Sequence, residues 1–347
     1  MRSPTVLILY NEPLLPDDHP DSACERTIVD SADAITGYLQ DAGFRIRRLG
    51  LEPNPTPLWN ELRRHRPDVV FNLFEGIPDQ AETESYVAGL MHWAGIPFTG
   101  SPYRALTVAR AKDMTKHALR GAGLPTADFM AIEQLPVPPC ALEWPVICKP
   151  AKEDASVGLD QDSVCTTQEQ LEQRVRYLLE AYGPVLVEEY IRGREINVAL
   201  LELPELEYLP PAEIVFPEEA PGYWPILTYE GKWRPGTPEF DNTPPKCPAD
   251  LSPATARKLG GIAMKAYRLL GCRDYARVDL RMRPNGRPYI LEVNPNPDIS
   301  EDAGFARCLG AAGIAYKDFI VRLVEQAVTR HHVSKPTVDE APASASV

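Results

Sequence analysis

The sequence has no apolar run long enough to cross a bilayer, no C-x-x-C pair, no glycine-rich turn behind its first apolar stretch, and a deficit of positive charge. Each absence removes a class of function. The apolar stretch near the N-terminus, Val6 to Tyr10, is too short for a secretory core or a membrane span and reads as a buried first strand. A cytoplasmic location is the expectation. The seven cysteines (Cys24, Cys140, Cys148, Cys165, Cys247, Cys272 and Cys308) are scattered and odd in number, which fits free thiols in a reducing compartment. Lys and Arg total 36 against 49 Asp and Glu, and the resulting net charge of -13 repels a nucleic-acid backbone and an anionic membrane surface. A nucleotide is not excluded, because a few local cations and a divalent metal suffice for one triphosphate. Where a dinucleotide-binding unit would place its glycines, the first strand runs into Asn11-Glu12-Pro13, so the pyrophosphate site of an oxidoreductase is missing.

What is present describes an enzyme-sized globular chain. Its 347 residues are 44% hydrophobic and 24% charged, ordinary proportions for two or three packed structural units. Proline is the exception: the chain has 36, about twice the usual ~5% share, a sign of ordered loops and sharply ended elements. The first ~100 residues alternate strand and helix signals in the doubly wound manner, with strands at Val6–Tyr10, Phe44–Leu49, Val69–Phe74 and Ile96–Thr99. A helix is expected from a Ser101 N-cap through Leu119, carrying Lys112. A smaller α+β pattern follows, then a segment from 204 to 248 that holds eleven prolines and reads as a lid. The predicted division is an N-terminal α/β domain over 1–103, a central lobe over 104–184, a C-terminal lobe over 185–330 with its lid at 204–248, and a disordered tail over 331–347.

The strongest chemical signal is a hairpin. Tyr275 to Leu280 alternates so that Arg277 and Asp279 share one face, and Tyr289 to Asn294 alternates in the same way. Asn285-Gly286 at the centre of a two-residue turn predicts a register in which Asp279 faces Glu292 and Arg277 faces Asn294. Two opposed carboxylates repel unless something positive lies between them. Mg²⁺ takes oxygen ligands of this kind, one or two from the protein and the rest from substrate phosphates; a solvated acidic face is the plainer alternative. A second signal is Lys149 at the end of an apolar strand, followed by a loop of small residues, Ser156-Val157-Gly158, that lets backbone N–H groups approach phosphate. The third is Val185 to Glu195, where an apolar strand exposes Glu188 and Glu189 as acceptors for an adenine amino group and Glu195 for ribose hydroxyls. An edge strand with charged gatekeepers is the rival reading there.

Taken together, Lys112, Lys149 with Ser156-Val157-Gly158, Glu188 through Glu195, and Arg277-Val278-Asp279 with Leu291-Glu292-Val293-Asn294-Pro295 resemble the ATP-grasp pattern of D-alanine–D-alanine ligases. The resemblance runs from about Val6 to Ala327 and is most specific in its C-terminal motifs. It implies an N-terminal doubly wound parallel sheet followed by a two-lobed α+β ATP-grasp domain. It further implies that Lys112, Lys149 and Ser156 hold ATP phosphates, while Glu188, Glu189, the Tyr190–Ile191 backbone and Glu195 hold adenosine. Lys232 matches a lid lysine that reaches the transferred phosphate. Asp279, Glu292 and Asn294 match the ligands of two Mg²⁺ ions, with Mn²⁺ as an alternative, and Arg277 matches the arginine that stabilises a tetrahedral intermediate. The implied reaction is attack of a carboxylate on ATP to give an acyl phosphate, then attack by an amine. Partners are small amino acids or amines, and related ligases make a homodimer the expectation.

The departures fall on the amino-acid side. Glu25 matches the glutamate that binds the first amino group, but its usual serine and tyrosine partners stand as Ala155 and Trp233. The histidine of the usual His-Gly is Glu75, and the serine that takes the acceptor carboxylate corresponds to Ala303. Glu75 suits a cationic or amine-bearing substrate. The rival function is an ATP-binding regulatory protein that has lost ligation, against which Arg277 and both metal carboxylates count.

Overall fold

The computed structural model describes residues 3–14, 22–77, 80–153, 156–217, 223–234 and 236–334, without the side chains of 22–26 and 331–334. The chain divides into two compact units, one from residues through Phe74, Leu90–Thr99 and the chain from Lys317 onward, the other from Glu75–Gly89 and Gly100–Tyr316. This differs from a boundary at 103: the final helix closes on the first unit.

In chain order the first elements are β1 (Thr5–Asn11), α1 (Ser22–Asp41), β2 (Arg45–Leu51), α2 (Thr56–Arg64), β3 (Val69–Asn72) and α3 (Thr83–Trp93). The strands form a parallel sheet ordered β2-β1-β3. Leu7, Ile8 and Leu9 on the central strand are fully buried, as are Ile35 and Leu39 of α1, so the unbroken apolar run of β1 reflects burial on both faces. The fourth strand expected at Ile96–Thr99 is reduced to one bridge, Val70 to Phe98, where Pro97 precludes a regular ladder on one side.

The second unit begins with α4 (Tyr103–Arg110), α5 (Lys112–Gly121), β4 (Phe129–Ile132), β5 (Val146–Pro150), β6 (Val164–Cys165), α6 (Gln168–Tyr182) and β7 (Val185–Glu189). The single helix expected over 101–119 is broken at Ala111, whose ψ of 87° leaves the helical region. That break frees the Lys112 N–H to donate to the Ala151 carbonyl (3.2 Å). Ser101 is no cap: its hydroxyl accepts from the Arg273 N–H at 3.2 Å, and Pro102 takes the cap position. The strands make an antiparallel sheet ordered β4-β7-β5-β6, so Val185–Glu189 belongs to this sheet and the lobe boundary falls after it, at the Arg192-Gly193 turn.

The remaining elements are β8 (Arg194–Glu202), β9 (Leu206–Tyr208), β10 (Ala212–Ile214), α7 (Tyr229–Trp233), α8 (Pro238–Asp241), β11 (Pro245–Lys246), α9 (Pro253–Leu270), β12 (Tyr275–Met282), β13 (Pro288–Asn294), α10 (Gly304–Ala311) and α11 (Tyr316–Ser334). A sheet ordered β11-β10-β8-β12-β13, with β9 also on β8, packs against α9. The limits of α9 are written in its sequence. The Ser252 hydroxyl accepts from the Thr255 N–H, Pro253 opens the first turn, and Gly271 ends it in the left-handed conformation. The span 204–248 is therefore not all lid, since its two ends are strands β9, β10 and β11. Neither these short elements nor α10 carried enough periodicity to be expected, and α11 runs to Ser334, into the segment 331–347 expected as a disordered tail. Most of the expected tail lies outside the described residues. Among the described residues no helix is long and apolar enough to cross a membrane.

The hairpin keeps the expected pairing by an unexpected route. Its turn has three residues, with Arg283 donating to the Arg287 carbonyl (3.0 Å), the Gly286 N–H donating to Arg283 (2.8 Å), and Gly286 left-handed at φ 77°. This pairs Leu280 with Ile290, one residue out of the expected register. A bulge between Asp279 and Leu280 then leaves Leu291 unpaired and restores Asp279 to Glu292 and Arg277 to Asn294. Because of the bulge, Ile290 and Val293, three apart, both enter the core against α9.

Gly193, between β7 and β8, has φ 135°, and a Cβ there would lie 2.1 Å from the Met282 carbonyl oxygen. Gly193→Ala is expected to lower unfolding free energy by at least ~1–3 kcal/mol from backbone strain alone, measured as a shift in the urea midpoint at unchanged slope.

Candidate active site

On the hairpin face away from α9, the Arg277 guanidinium grips Asp279 with two hydrogen bonds, Nε to Oδ1 at 2.7 Å and Nη2 to Oδ2 at 2.8 Å. Asn197 of β8, directly opposite on the other side, donates its Nδ2 to Asp279 Oδ1 at 2.7 Å. Burial pushes the Asp279 pKa up, but the adjacent Arg277 charge, its hydrogen bonds, Glu292 and the charge of Lys232 hold it below the ordinary carboxylate range. Arg277 is correspondingly raised: burial opposes its charge, and Asp279 first, then Glu292 and Glu195, more than compensate. The Asn294 amide oxygen accepts the Asn296 N–H at 2.9 Å, and Asn296 Nδ2 donates to Glu84 Oε1 at 2.6 Å, which fixes the chain leaving the hairpin. Among the described residues no three His, Cys, Asp or Glu side chains gather as a complete metal cage. The set present is two carboxylates and an amide oxygen, the partial donor set that suits a Mg²⁺ sharing its shell with phosphate oxygens. Asp279, Glu292 and Asn294 thus fit the ion.

The four-stranded sheet supplies the cations. Glu188 was expected to be exposed; it is buried, at 2% exposure, and forms ion pairs with both Lys149 of β5 and Lys116 of α5. Its neighbour Glu189 points the other way and pairs with Arg283, as strand alternation requires, so the two glutamates cannot serve one ligand edge together. Burial raises the Glu188 pKa, and the two lysines together bring it below the ordinary value. For Lys149 burial works downward, but Glu188 foremost, with Glu292 and Glu195 beyond, leaves it raised. Lys116 is lowered to about 8 by burial, which Glu188 only partly offsets. Lys116 was not among the expected residues, although it lies one helical turn from Lys112, on the same face. Lys112 is itself buried, donating its Nζ to the Glu153 carbonyl at the start of the small-residue loop. Within that loop Ser156 adopts a left-handed φ of 63° and its carbonyl accepts the Leu159 N–H at 3.0 Å. Arg174, another residue the sequence pattern did not single out, ties the loop down through the Gly158 carbonyl (2.7 Å), Asp160 (2.9 Å) and Ser163 (2.8 Å).

Glu195 is buried against Arg281, which reaches its Oε2 from both Nε (3.1 Å) and Nη2 (2.9 Å). Burial raises the Glu195 pKa despite that partner. Arg281 Nη1 also donates to the Tyr190 hydroxyl (3.2 Å) and the Ile191 carbonyl (3.4 Å), joining β12 to the segment after β7. Alternation along β12 puts Arg281 on the face of Arg277 and Asp279, a signal readable in the sequence. The Tyr190 ring meets Trp224 edge-on at 5.3 Å, and Ile191 packs with Ala127 and Tyr289.

On the substrate side, Lys232 stands on the short helix α7, its Nζ 5.2 Å from the Trp233 ring centre, and its charge bears on both Asp279 and Glu75. Water reaches the Glu75 side chain, yet protein atoms crowd round it. That crowding first, then the charges of Asp298 and Glu84, raise its pKa to about 7, with Lys232 opposing. Ala303 is the N-cap of α10 and offers no side-chain cap. The side chain of Glu25, on α1, and the whole of Ala155 lie outside the described residues.

The family model described as D-ala D-ala ligase C-terminus matches residues 118–325. Over 300 residues, 85% of this chain and 90% of the other, the sequence is 30% identical to a D-alanine–D-alanine ligase of Pseudoalteromonas translucida. The chain belongs to the D-alanine–D-alanine ligase family. It is by that membership an ATP-dependent ligase with the ATP-grasp fold. It is also 34% identical over 310 residues, 86% of this chain and 88% of the other, to the protein y4sG of Sinorhizobium fredii. The fold is similar to the ligase of Bacillus anthracis complexed with ATP, at TM-score 0.72 and 18% identity, covering 96% of this chain and 100% of that one. Arg277, Asp279, Glu292, Asn294, Lys112 and Lys149 all lie in the second unit, as do Lys116, Arg174 and Arg281, which the sequence pattern did not single out.

Arg281→Met would leave Glu195 as an uncompensated buried charge, and unfolding free energy is expected to fall by about 3–5 kcal/mol. Adding Glu195→Gln recovers most of the loss, a pair of results that urea unfolding at neutral pH will read. For Glu75 the raised folded pKa means that its favourable contribution is complete below the ordinary 4.5 and is lost as pH rises through about 7. Wild type should therefore lose stability relative to Glu75→Gln between about pH 5 and pH 8, checked by denaturant midpoints at both ends.

Proposed function

We propose that the protein is an ATP-dependent carboxylate–amine ligase that forms an amide bond through an acyl phosphate, with amino-acid substrates altered from D-alanine. The observation that carries this reading is the hairpin face, where Arg277, Asp279, Glu292 and Asn294 meet in register with Asn197 beside them. Lys112 and Lys149 take the phosphates of ATP, and Glu195 with the Tyr190–Ile191 segment takes adenosine. Asp279, Glu292 and Asn294 would hold Mg²⁺, whose positive charge would offset the phosphate oxygens. Lys232 on α7 brings a further cation to the γ-phosphate side when the segment around it covers the site.

A substrate carboxylate oxygen attacks the γ-phosphorus, the bond to the bridging oxygen breaks, and ADP leaves with the pair. The amine nitrogen then attacks the acyl carbon, and the oxyanion that forms is stabilised by the Arg277 guanidinium before phosphate departs. Arg277 is already oriented by its two bonds to Asp279, so little reorganisation accompanies the developing charge. Exclusion of water protects the acyl phosphate from hydrolysis.

Glu75, where related ligases carry histidine, supports a substrate that brings positive charge, and Ala155, Trp233 and Ala303 remove groups that would hold D-alanine. Phosphate release across a panel of amino acids and amines is expected to rank amine-bearing or cationic substrates first; preference for D-alanine in both positions would refute the altered-substrate reading. Arg277→Met is expected to reduce the rate of phosphate release by about 10²–10³-fold, the loss that follows removal of one oxyanion donor. ATP-independent behaviour in the whole panel would sink the ligase itself.

A further inference from the structure

The Glu188 carboxylate is shared by two lysines of unequal freedom. The Lys116 side chain is 1% exposed and Lys149 is 12% exposed, and both contact the same carboxylate, one on each oxygen. Lys116 is also the more firmly anchored. Its Nζ donates to the Thr126 hydroxyl at 2.8 Å, and that hydroxyl donates to the Ile290 carbonyl of β13 at 2.9 Å, so α5, the segment before β4 and the hairpin are stitched together at this point. Lys149 sits at the end of β5, and Glu188 is its ion-pair partner.

We infer that Lys116 is a positioning residue: it keeps Glu188 neutralised so that Lys149 can leave that carboxylate and turn to a phosphate of ATP. The inference rests on the nucleotide reading proposed above. The charge count explains it. One carboxylate and two lysines leave one positive charge in excess, and the immobile lysine holds the carboxylate while the mobile one is lent to the ligand. With a single lysine, Glu188 would be a buried anion with one possible partner, and ATP would have to compete with it for Lys149. A buried pair of that kind is costly to break from one side, so the competition would weaken nucleotide binding without touching the reacting atoms. Lys116 makes no contact with substrate in this scheme and acts entirely through Glu188.

The test is binding of the non-hydrolysable analogue AMP-PNP with Mg²⁺, by calorimetry on the full chain, for wild type, Lys116→Met, Lys116→Gln and Lys116→Arg. Lys116→Met and Lys116→Gln are expected to bind at least tenfold more weakly, because Glu188 now captures Lys149. Lys116→Arg, which keeps a cation on Glu188, should stay within about threefold of wild type. In turnover with ATP the uncharged variants should raise KM for ATP while kcat changes by less than threefold. An unchanged affinity in Lys116→Met or Lys116→Gln overturns the inference, as does a Lys116→Arg variant that folds and is tenfold weak, the result of a merely structural role. If Lys116→Met does not fold, Lys116→Gln, which keeps a polar group for Thr126, decides by comparison with Lys116→Arg. Failure of wild type itself to bind AMP-PNP tells against the nucleotide reading rather than against Lys116.

Discussion

Leu291 has no partner on β12, and the arrangement of the polar face depends on that one extra residue. Three residues in the turn shift the ladder by one, and the bulge shifts it back before Asp279 is reached. Were either irregularity present alone, Glu292 and Val293 would exchange faces, because side chains alternate with a period of two. An acid would then enter the apolar layer under α9 and a valine would join the polar face of Arg277 and Asp279. The cost of burying that acid is what keeps both irregularities together.

Around that face the unit is organised as compensated buried charge. Asp279 has Arg277 and Asn197, Glu195 has Arg281, and Glu188 has two lysines. A chain with a net charge of -13 thereby presents cations locally where phosphates are expected. Asp279 meets Arg277 within β12 and Asn197 on β8, the pair of Glu195 and Arg281 joins β8 to β12, and Glu188 joins β7 to both β5 and α5. Buried ion pairs are weak evidence for stability, since two apolar residues of equal volume would often do as well. Here they fix Arg277, Arg281 and Lys116 in place without a ligand.

The substrate side shows the opposite balance. Asp298 and Glu84 bear on Glu75 as like charges, and Lys232 on α7 opposes them there. Such a cluster favours a ligand that carries positive charge. The positions that depart from the resemblance, Glu75, Ala155, Trp233 and Ala303, are ones that it assigns to the amino-acid substrates.

Sequence alone determined what period and local chemistry can encode. The capping serine, first-turn proline and terminal glycine bounded α9; apolar runs and alternation gave β1, β4, β5 and α6; and the alternating hairpin strands put Arg277, Asp279, Glu292 and Asn294 on one face. It could not show that Glu188 would be buried, because a strand's alternation says which residues share a face and not what covers that face. Lys116 as the partner of Glu188 and Arg174 as the tie of the small-residue loop were likewise hidden, since the role of each is set by distance in space; the face of Arg281 was legible in the alternation of β12, but its pairing with Glu195 was not. The break at Ala111, the strands inside 204–248 and the return of the last helix to the first unit were decided by tertiary hydrogen bonds and packing, which override weak local preference. Even the correct register of the hairpin was a tertiary outcome: two departures from ideal pairing cancel because only that combination keeps Ile290 and Val293 in oil and Glu292 in reach of a cation.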